Sequence, residues 1–414
     1  MSESDYLYFV GVDLGSESHR SRMIDQQGKE LGEYAFQHGG APLKDFVAWV
    51  FRKSAGVPPN RVAVAVEAPR GAVIDALLEA GVAVFAINPK QLDRFRDRFS
   101  VAGPKDDRRD ALVLAHSLRT DMHHFHQLQP DEPRLIRMRE LSRAEANTAV
   151  ELRRESNQLW SYLQRYFPDL LALCPAADEP WLWDLLQRIQ GLPQRLARLR
   201  PATLQQFCAL HHLRRISPEL LQKAGADPLP VAPGVPQALA EQVLLLVPRL
   251  QLLHRQRTQL ARQIDQLLDE LTSDESFPQH RSLAILRSLP GVGRVCTAAV
   301  LAEAFSPFSQ RDYHALRALA GVAPVTQQSG KTRLVTMRRA CNPRLRQALF
   351  HSANVHMQHD PQARLTYTAL RQRGCSHGRA LRGVADRLLN LICTLLRHGT
   401  FYDPLRRIPK TQAA

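Results

Sequence analysis

The chain has 414 residues, enough for two or three domains, and no composition bias of the disordered or fibrous kind: 44% are hydrophobic and 23% charged. Lys and Arg total 55 against 40 Asp and Glu, a formal net charge of +15. That imbalance points to a polyanionic partner, most often nucleic acid, although a generally basic solvated surface gives the same number. No apolar run is long enough to span a bilayer, and the start MSESDYLYFV lacks the basic-then-apolar order of a signal peptide. The six cysteines include no CxxC pair, so the expectation is reduced thiols in a cytoplasmic protein.

The first element is an aromatic and β-branched run, Tyr6 to Val12, which predicts a buried strand. It delivers Asp13 to its end, followed by Gly15. A carboxylate at a strand end can hold a metal ion; Asp and Gly are equally at home opening a turn. Two further strands are expected before Phe36, separated by a Gln-Gln-Gly turn, and together they predict an antiparallel meander. Leu43 to Phe51 predicts a helix with Phe46, Val47 and Val50 on one face. Val62 to Val66 is a continuous apolar run, as in a strand buried on both faces, and it ends on Glu67. Gly71 to Ala80 predicts a helix and Val82 to Ile87 a further strand, stopped by Asn88-Pro89.

Lys90 to Lys105 is basic and broken, either the flank of a substrate channel or a solvated surface helix. A helix from Asp107 to Arg119 follows, with Asp107 and Asp110 three apart and therefore on one face. Capping of the helix N-terminus is the simpler role for these acids. The order of three antiparallel strands, helix, strand, helix, strand and helix is that of an RNase H-like α/β fold (RuvC-like). Its acidic positions fall on Asp13, Glu67, Asp107 and Asp110; the adjacent Asp106 competes with Asp107, which is preferred because its spacing to Asp110 places both on one face. Four clustered carboxylates are costly unless a divalent cation such as Mg²⁺ neutralises them, and two such ions could clamp a phosphoryl transfer. His123, His124 and His126 are expected in a solvated loop rather than at a metal.

The middle of the chain predicts long helices. Pro133 to Tyr166 carries a spaced apolar series, and Phe167 to about Pro236 predicts short helices and loops, with Trp160, Trp181 and Trp183 as packing anchors. A second long helix is expected from about Pro248 to Leu271, where Leu246, Leu250, Leu253, Leu260, Ile264, Leu267 and Leu271 step by four and three, with Arg257 filling the one missing place. That predicts a coiled-coil seam, within the chain or between subunits, with Pro248 limiting its N-terminal end.

The C-terminal part is expected to be mostly helical. Leu289-Pro290-Gly291-Val292-Gly293 lies between two helical segments and resembles a helix-hairpin-helix, in which Gly291 and Gly293 bring backbone N–H groups to a DNA phosphate. A helix–helix turn without a ligand fits the same residues. Ser329-Gly330-Lys331 is expected in a loop, followed by Arg333, Arg338 and Arg339 as candidate nucleic-acid contacts along with Lys331. A serine beside arginines could attack a phosphodiester, but by chemistry alone a surface turn that only contacts phosphate is the simpler reading.

Taken together, VGVDLG, VAVEAPRG, KDDRRDA, SLPGVG, LAGVAPVTQQSGK and MRRACNPRLRQAL resemble the DEDD insertion-sequence transposases. That family is similar to the site-specific invertase Piv and includes bridge-RNA-guided recombinases. The resemblance spans nearly the whole chain and implies three regions: an RNase H-like domain over 1–131, a helical and coiled-coil region over 132–275, and a serine-bearing transposase domain over 276–414. It implies that Asp13, Glu67, Asp107 and Asp110 hold Mg²⁺ and that Ser329 joins covalently to DNA. Asp106 stands where the family usually has threonine. It further implies DNA and a structured guide RNA as partners, and a homo-oligomer with composite active sites. Two other readings use the same residues: a metal-dependent nuclease of the Holliday-junction-resolvase kind with water as nucleophile, and a nucleic-acid-binding scaffold with an inactive RNase H-like domain.

Overall fold

Val10 and Val12 point to one side of the strand β1 (Tyr8–Leu14), Phe9 and Gly11 to the other, and both sides are covered. The computed structural model describes residues 6–87, 91–95, 107–129, 132–330 and 332–404, with the backbone alone for Asp107 and Arg108. Most of the basic stretch from Lys90 to Lys105, with Asp106 and Lys331, lies outside these residues. Contacts divide the chain into two compact units, Met1–Glu132 and Pro133–Ala414.

In the first unit, β1 pairs antiparallel with β2 (Ser18–Asp25), which pairs antiparallel with β3 (Glu30–Gln37). On its other side β1 pairs parallel with β4 (Val62–Val66), followed by parallel β5 (Ala83–Ala86). A short antiparallel edge strand, β6 (His126–Gln127), completes the order β3-β2-β1-β4-β5-β6. The helix α1 (Gly40–Lys53) and α2 (Ala72–Glu79) cover the face of Val10, Val12, Val64 and Val66 with Phe46, Trp49, Ile74 and Leu77. The opposite face, with Phe9, Ala63, Ala65 and Phe85, is covered by α3 (Asp107–Asp121) through Val113, Leu114, Ala115 and Leu118. Small residues in β1 and β4 on this second face leave room for a helix to lie close. The strand and helix order expected from the sequence is present. His123 and His124 are exposed in a 3-10 turn, and His126 is exposed in β6 rather than in a loop.

The second unit is helical apart from one hairpin. Its first helix, α4 (Pro133–Tyr166), is followed by the short α5 (Pro168–Leu173), α6 (Pro180–Arg188), α7 (Pro193–Ala197), α8 (Pro201–Leu210) and α9 (Pro218–Ala226). The long α10 (Val235–Ser273) then packs along α4. Proline sits at the start of each of these helices, where its missing N–H has no intrahelical acceptor to lose.

Two expectations need correction here. Pro248 does not limit α10, which begins at Val235 and runs through it. A mid-helix proline costs about 3 kcal/mol. Burial of Leu246, Val247 and Leu250 around it contributes roughly 1.5–3 kcal/mol each, so packing wins. Trp160 is not a packing anchor: it is 42% exposed, whereas Trp181 and Trp183 are buried and donate their indole N–H to Glu179 and to the Ala177 carbonyl. The buried stripe of α4 passes through Leu152, Leu159 and Leu163, and Trp160 lies one residue, about 100°, off it. The place that Arg257 fills in the apolar series of α10 is an ion-pair site. Arg257 and Arg249 donate to the buried Glu145 and Glu155 of α4, each at 3.0 Å.

Beyond α10 come α11 (His280–Arg287), α12 (Arg294–Ser309) and α13 (Tyr313–Leu319), then the hairpin of β7 (Pro324–Ser329) and β8 (Thr332–Met337). Three helices end the fold: α14 (Pro343–His359), α15 (Pro361–Gln372) and α16 (His377–His398). Their core contains Leu286, Leu301, Leu349 and Leu388, and the C-terminal half of α10 joins it through Ile264, Leu267 and Leu271. All six cysteines are free. No helix among the described residues is long and apolar enough to cross a membrane.

Candidate functional site

Two carboxylates sit at the same end of the first unit's sheet. Asp13 is the last residue but one of β1. The parallel register of β1 and β4 runs from Tyr8 beside Val62 to Val12 beside Val66, so one further step sets Asp13 beside Glu67. Period-two alternation puts Asp13 on the face of Phe9 and Gly11, which α3 covers, and Glu67 is the first residue past the end of β4.

The third acidic position arrives on α3. Arg119, near its C-terminal end, lies over the β2–β3 turn and donates to the Gln26 carbonyl, at the Tyr8 end of β1. The first turn of α3 therefore points toward the Asp13 end. Gly11 sets the separation. A Cβ built there would overlap the carbonyl oxygen of Ala111 and lie 2.7 Å from the Ala115 nitrogen and 2.8 Å from the Leu114 Cβ. Asp110 precedes Ala111 and is 4% exposed. Asp107 begins the helix; its side chain lies outside the described residues. Among the described residues, no three His, Cys, Asp or Glu side chains form a group able to hold a metal ion. The donors that share the sheet end are carboxylate oxygens, which suits a hard cation such as Mg²⁺ better than a thiophilic one.

Register adds a residue that sequence reasoning passed over. Arg20 of β2 is directly opposite Asp13, on the same face. A cation beside the carboxylates is a candidate phosphate contact, and its alignment follows only from the pairing of β1 with β2.

In the second unit, Ser329 ends β7 and is paired with Thr332, and Gly330 follows it at the tip of the hairpin. Gly330 has φ +55, the left-handed conformation such hairpin turns require and glycine supplies without strain. The loop expected around Ser329 is thus the tip of a β-hairpin, and the C-terminal part is not purely helical. Val325, Thr326, Val335 and Thr336 on either side of a glycine turn are the signal that could have found it. The hairpin is almost wholly exposed, including Leu334, Val335 and Met337. Arg333 is exposed on β8, and Arg338 and Arg339 follow its end.

The two glycines between α11 and α12 differ in surroundings. Gly291 has φ +85, and an added Cβ would be 2.6 Å from both the His356 nitrogen and the Ser352 oxygen of α14. His356 Nδ1 also hydrogen-bonds the Pro290 carbonyl at 2.9 Å. Gly293 caps α12, and nothing lies within 4 Å of a Cβ built on it. Gly291→Ala is expected to destabilise the second unit by about 3 kcal/mol, from left-handed backbone strain and overpacking. Gly293→Ala costs under about 1 kcal/mol as a changed N-cap. Urea unfolding of the two variants measures the contrast.

Comparison with known proteins covers both units. A DEDD transposase family model of the IS110 type matches residues 10–168, and a model described as "Transposase IS116/IS110/IS902 family" matches residues 283–368. The chain is 30% identical over 426 residues to a protein from Streptomyces coelicolor named as a candidate mini-circle transposase for IS117, covering 100% of both chains. It is 30% identical over 408 residues, 95% of each chain, to the 43.6 kDa protein of insertion element IS110 from the same organism. A candidate transposase from Sinorhizobium fredii, y4uE, is 43% identical over 207 residues, half of this chain and 57% of its own length. The DEDD match implies an RNase H-like fold for the first unit, in keeping with its sheet order. On these grounds the chain belongs to the IS116/IS110/IS902 family of transposases, enzymes that act on DNA.

Proposed function

We propose that the chain cuts and rejoins DNA strands through Ser329, with Asp13, Glu67, Asp107 and Asp110 as the Mg²⁺ ligands at the same scissile phosphate. The observation that carries this reading is the common sheet end of Asp13 and Glu67, toward which the first turn of α3 points. The exposed hairpin tip supports the other half, since a nucleophile that must reach a duplex has to project from its domain.

In this reading the Ser329 oxygen attacks phosphorus. The new Oγ–P bond replaces the bond to one deoxyribose oxygen, which leaves as a hydroxyl with the proton serine gives up. Rejoining reverses the exchange: a strand hydroxyl attacks the phosphoserine and Ser329 recovers its proton. Phosphodiester bonds are conserved, so no nucleotide cofactor is consumed. The chemistry that Mg²⁺ supplies when bound, as one ion or two, is polarisation of the phosphate and neutralisation of charge on the leaving oxygen. The residues of this chain hold its oxygen ligands and present the hydroxyl. Lys331, Arg333, Arg338 and Arg339 contact phosphates, and the turn at Gly291 and Gly293 offers backbone N–H groups. A structured RNA selects the sites by base pairing while the protein reads backbone and shape, and copies of the chain assemble on the DNA. The net charge of +15 supports a polyanion-laden complex of this kind.

The test is a denaturing gel of the protein with Mg²⁺ and labelled element-end DNA. A covalent protein–DNA adduct is expected, absent in Ser329→Ala, and RNA copurifying with the protein should contain stretches complementary to both joined DNAs. Cleaved ends with no adduct in the parent protein point instead to water as the nucleophile.

A further inference from the structure

The last three helices are electrostatically lopsided. α14, α15 and α16 carry arginines throughout and a single carboxylate, Asp386. Asp386 is already engaged: Arg317 donates to both its oxygens, at 2.7 and 2.8 Å, and the Tyr313 hydroxyl donates at 2.9 Å. Several of the arginines are satisfied by neutral acceptors. Arg344 donates to Asn147, Arg364 to the Gln358 carbonyl, Arg371 to the Cys375 carbonyl and Arg387 to Thr366.

Arg346, Arg379 and Arg382 have neither an ion pair nor a side-chain hydrogen bond among the described residues. They also converge. Arg379 and Arg382 are three apart at the start of α16, on one face of it, and α14, which carries Arg346, packs against α16. The Nε of Arg382 is buried without an acceptor. Burial, with the charges of Arg379 and Arg346 beside it, holds the Arg382 guanidinium below the usual arginine range. A buried donor without a partner is destabilising, and like charges add to that. The cluster lies at the foot of the serine hairpin. The Arg346 Cδ is 3.4 Å from a Cβ built on Gly321, and the Cys341 Cβ is 3.0 Å from the same point. Gly321 precedes β7 and Cys341 follows β8. The N-terminal end of α16, a helix of 22 residues, adds its partial positive charge.

We propose that Arg346, Arg379 and Arg382 form an anchor for the phosphodiester backbone of DNA at the foot of the Ser329 hairpin. Three guanidinium groups with unused donors match successive phosphate oxygens, and no carboxylate of these helices is left to neutralise them. The anchor reads no bases; it fixes where the duplex lies relative to the hairpin. The inference rests on the reading of the second unit as DNA-handling, but it does not depend on Ser329 being the nucleophile.

The experiment is fluorescence anisotropy of the full-length chain with labelled duplexes of unrelated sequence, in EDTA so that no strand is cut, across about 50 to 200 mM salt. In Arg379→Gln/Arg382→Gln the slope of log K against log salt is expected to fall by about 2, equally for every sequence. Arg346→Gln lowers it by about 1, and Arg379→Lys/Arg382→Lys restores most of the loss. The melting temperature of the DNA-free double Gln variant should equal or exceed the parent's, because a partly buried cation with an unsatisfied Nε, repelled by its neighbours, is removed. An unchanged slope overturns the anchor, as does weaker binding that tracks a lowered melting temperature. Loss of binding to an acidic peptide with DNA binding intact overturns it in favour of a protein partner. A parent chain that binds no DNA overturns it together with the reading beneath it. A missing Ser329 adduct with the slope change present leaves the anchor standing and removes only the nucleophile.

Discussion

As a ligand of the proposed Mg²⁺ site, Asp110→Asn is expected to lower DNA strand cleavage on the order of 10³-fold, with the first unit melting within a few degrees of the parent. The size follows from what a ligand carboxylate does: charge stabilisation worth several kcal/mol is lost, at 1.36 kcal/mol per factor of ten. The small stability change follows from shape. Asn keeps the volume of Asp and one acceptor oxygen, so the buried site at the start of α3 stays filled and partly satisfied. A purely structural Asp110, capping or pairing within the fold, gives the reverse pattern: a clear drop in melting temperature and an activity loss no greater than the loss of folded protein. Asp13→Asn and Glu67→Gln should behave as Asp110→Asn does, and the double variants should fall no further than the singles, since the ligands act as one unit. Cleavage of element-end DNA under single-turnover conditions, beside a thermal melt of each variant, separates the outcomes.

The first unit was readable because its signals are local. Tyr6 to Val12 and Val62 to Val66 are short apolar runs bounded by turn residues, and each becomes a strand at the expected place. Alternation within such runs also assigns the faces. The adjacency of Asp13 and Glu67 is another matter. It depends on β4 pairing with β1 across about fifty intervening residues, a long-range choice that no local pattern encodes. Arg20 was missed for the same reason, since its place opposite Asp13 is a matter of register. The serine hairpin carried a local signal in its β-branched residues, but the helical stretches around it outweighed that signal. Pro248 and Trp160 misled in opposite directions. A proline rule of about 3 kcal/mol yields to the packing of Leu246, Val247 and Leu250. A tryptophan's preference for burial yields to its angular position on α4. The arginine cluster joins positions 346, 379 and 382 only through helix packing, so the sequence presents them as unrelated surface charges.

Gly11→Val should unfold the first unit or destabilise it by about 3 kcal/mol or more, although valine is among the best strand formers. Strand preference favours valine over glycine by up to about 1 kcal/mol. Against that stands a steric conflict that rotamer changes cannot relieve. The groups nearest the new Cβ are the Ala111 carbonyl and the Ala115 nitrogen, both backbone, so the whole of α3 has to move off the sheet. Overpacking alone costs about 1–3 kcal/mol, and more where backbone is the obstacle. Displacing α3 also uncovers Val113, Leu114 and Leu118, now buried against Phe9 and Ala63. Gly11→Ala should be nearly as damaging, because the first added carbon already collides. Gly40→Ala makes a fair control: nothing lies within 4 Å of its Cβ, and alanine in the first turn of α1 is neutral or stabilising by up to about 1 kcal/mol. Urea denaturation followed by hydrogen exchange in β1 and β4 gives the measurement. Equal midpoints for Gly11→Ala and Gly40→Ala would mean that α3 does not lie on β1, and the approach of Asp110 to the sheet end would go with it. A surviving Gly11→Ala fold should lose cleavage more than DNA binding, because the acidic positions shift while the arginines of the second unit keep their local helix packing.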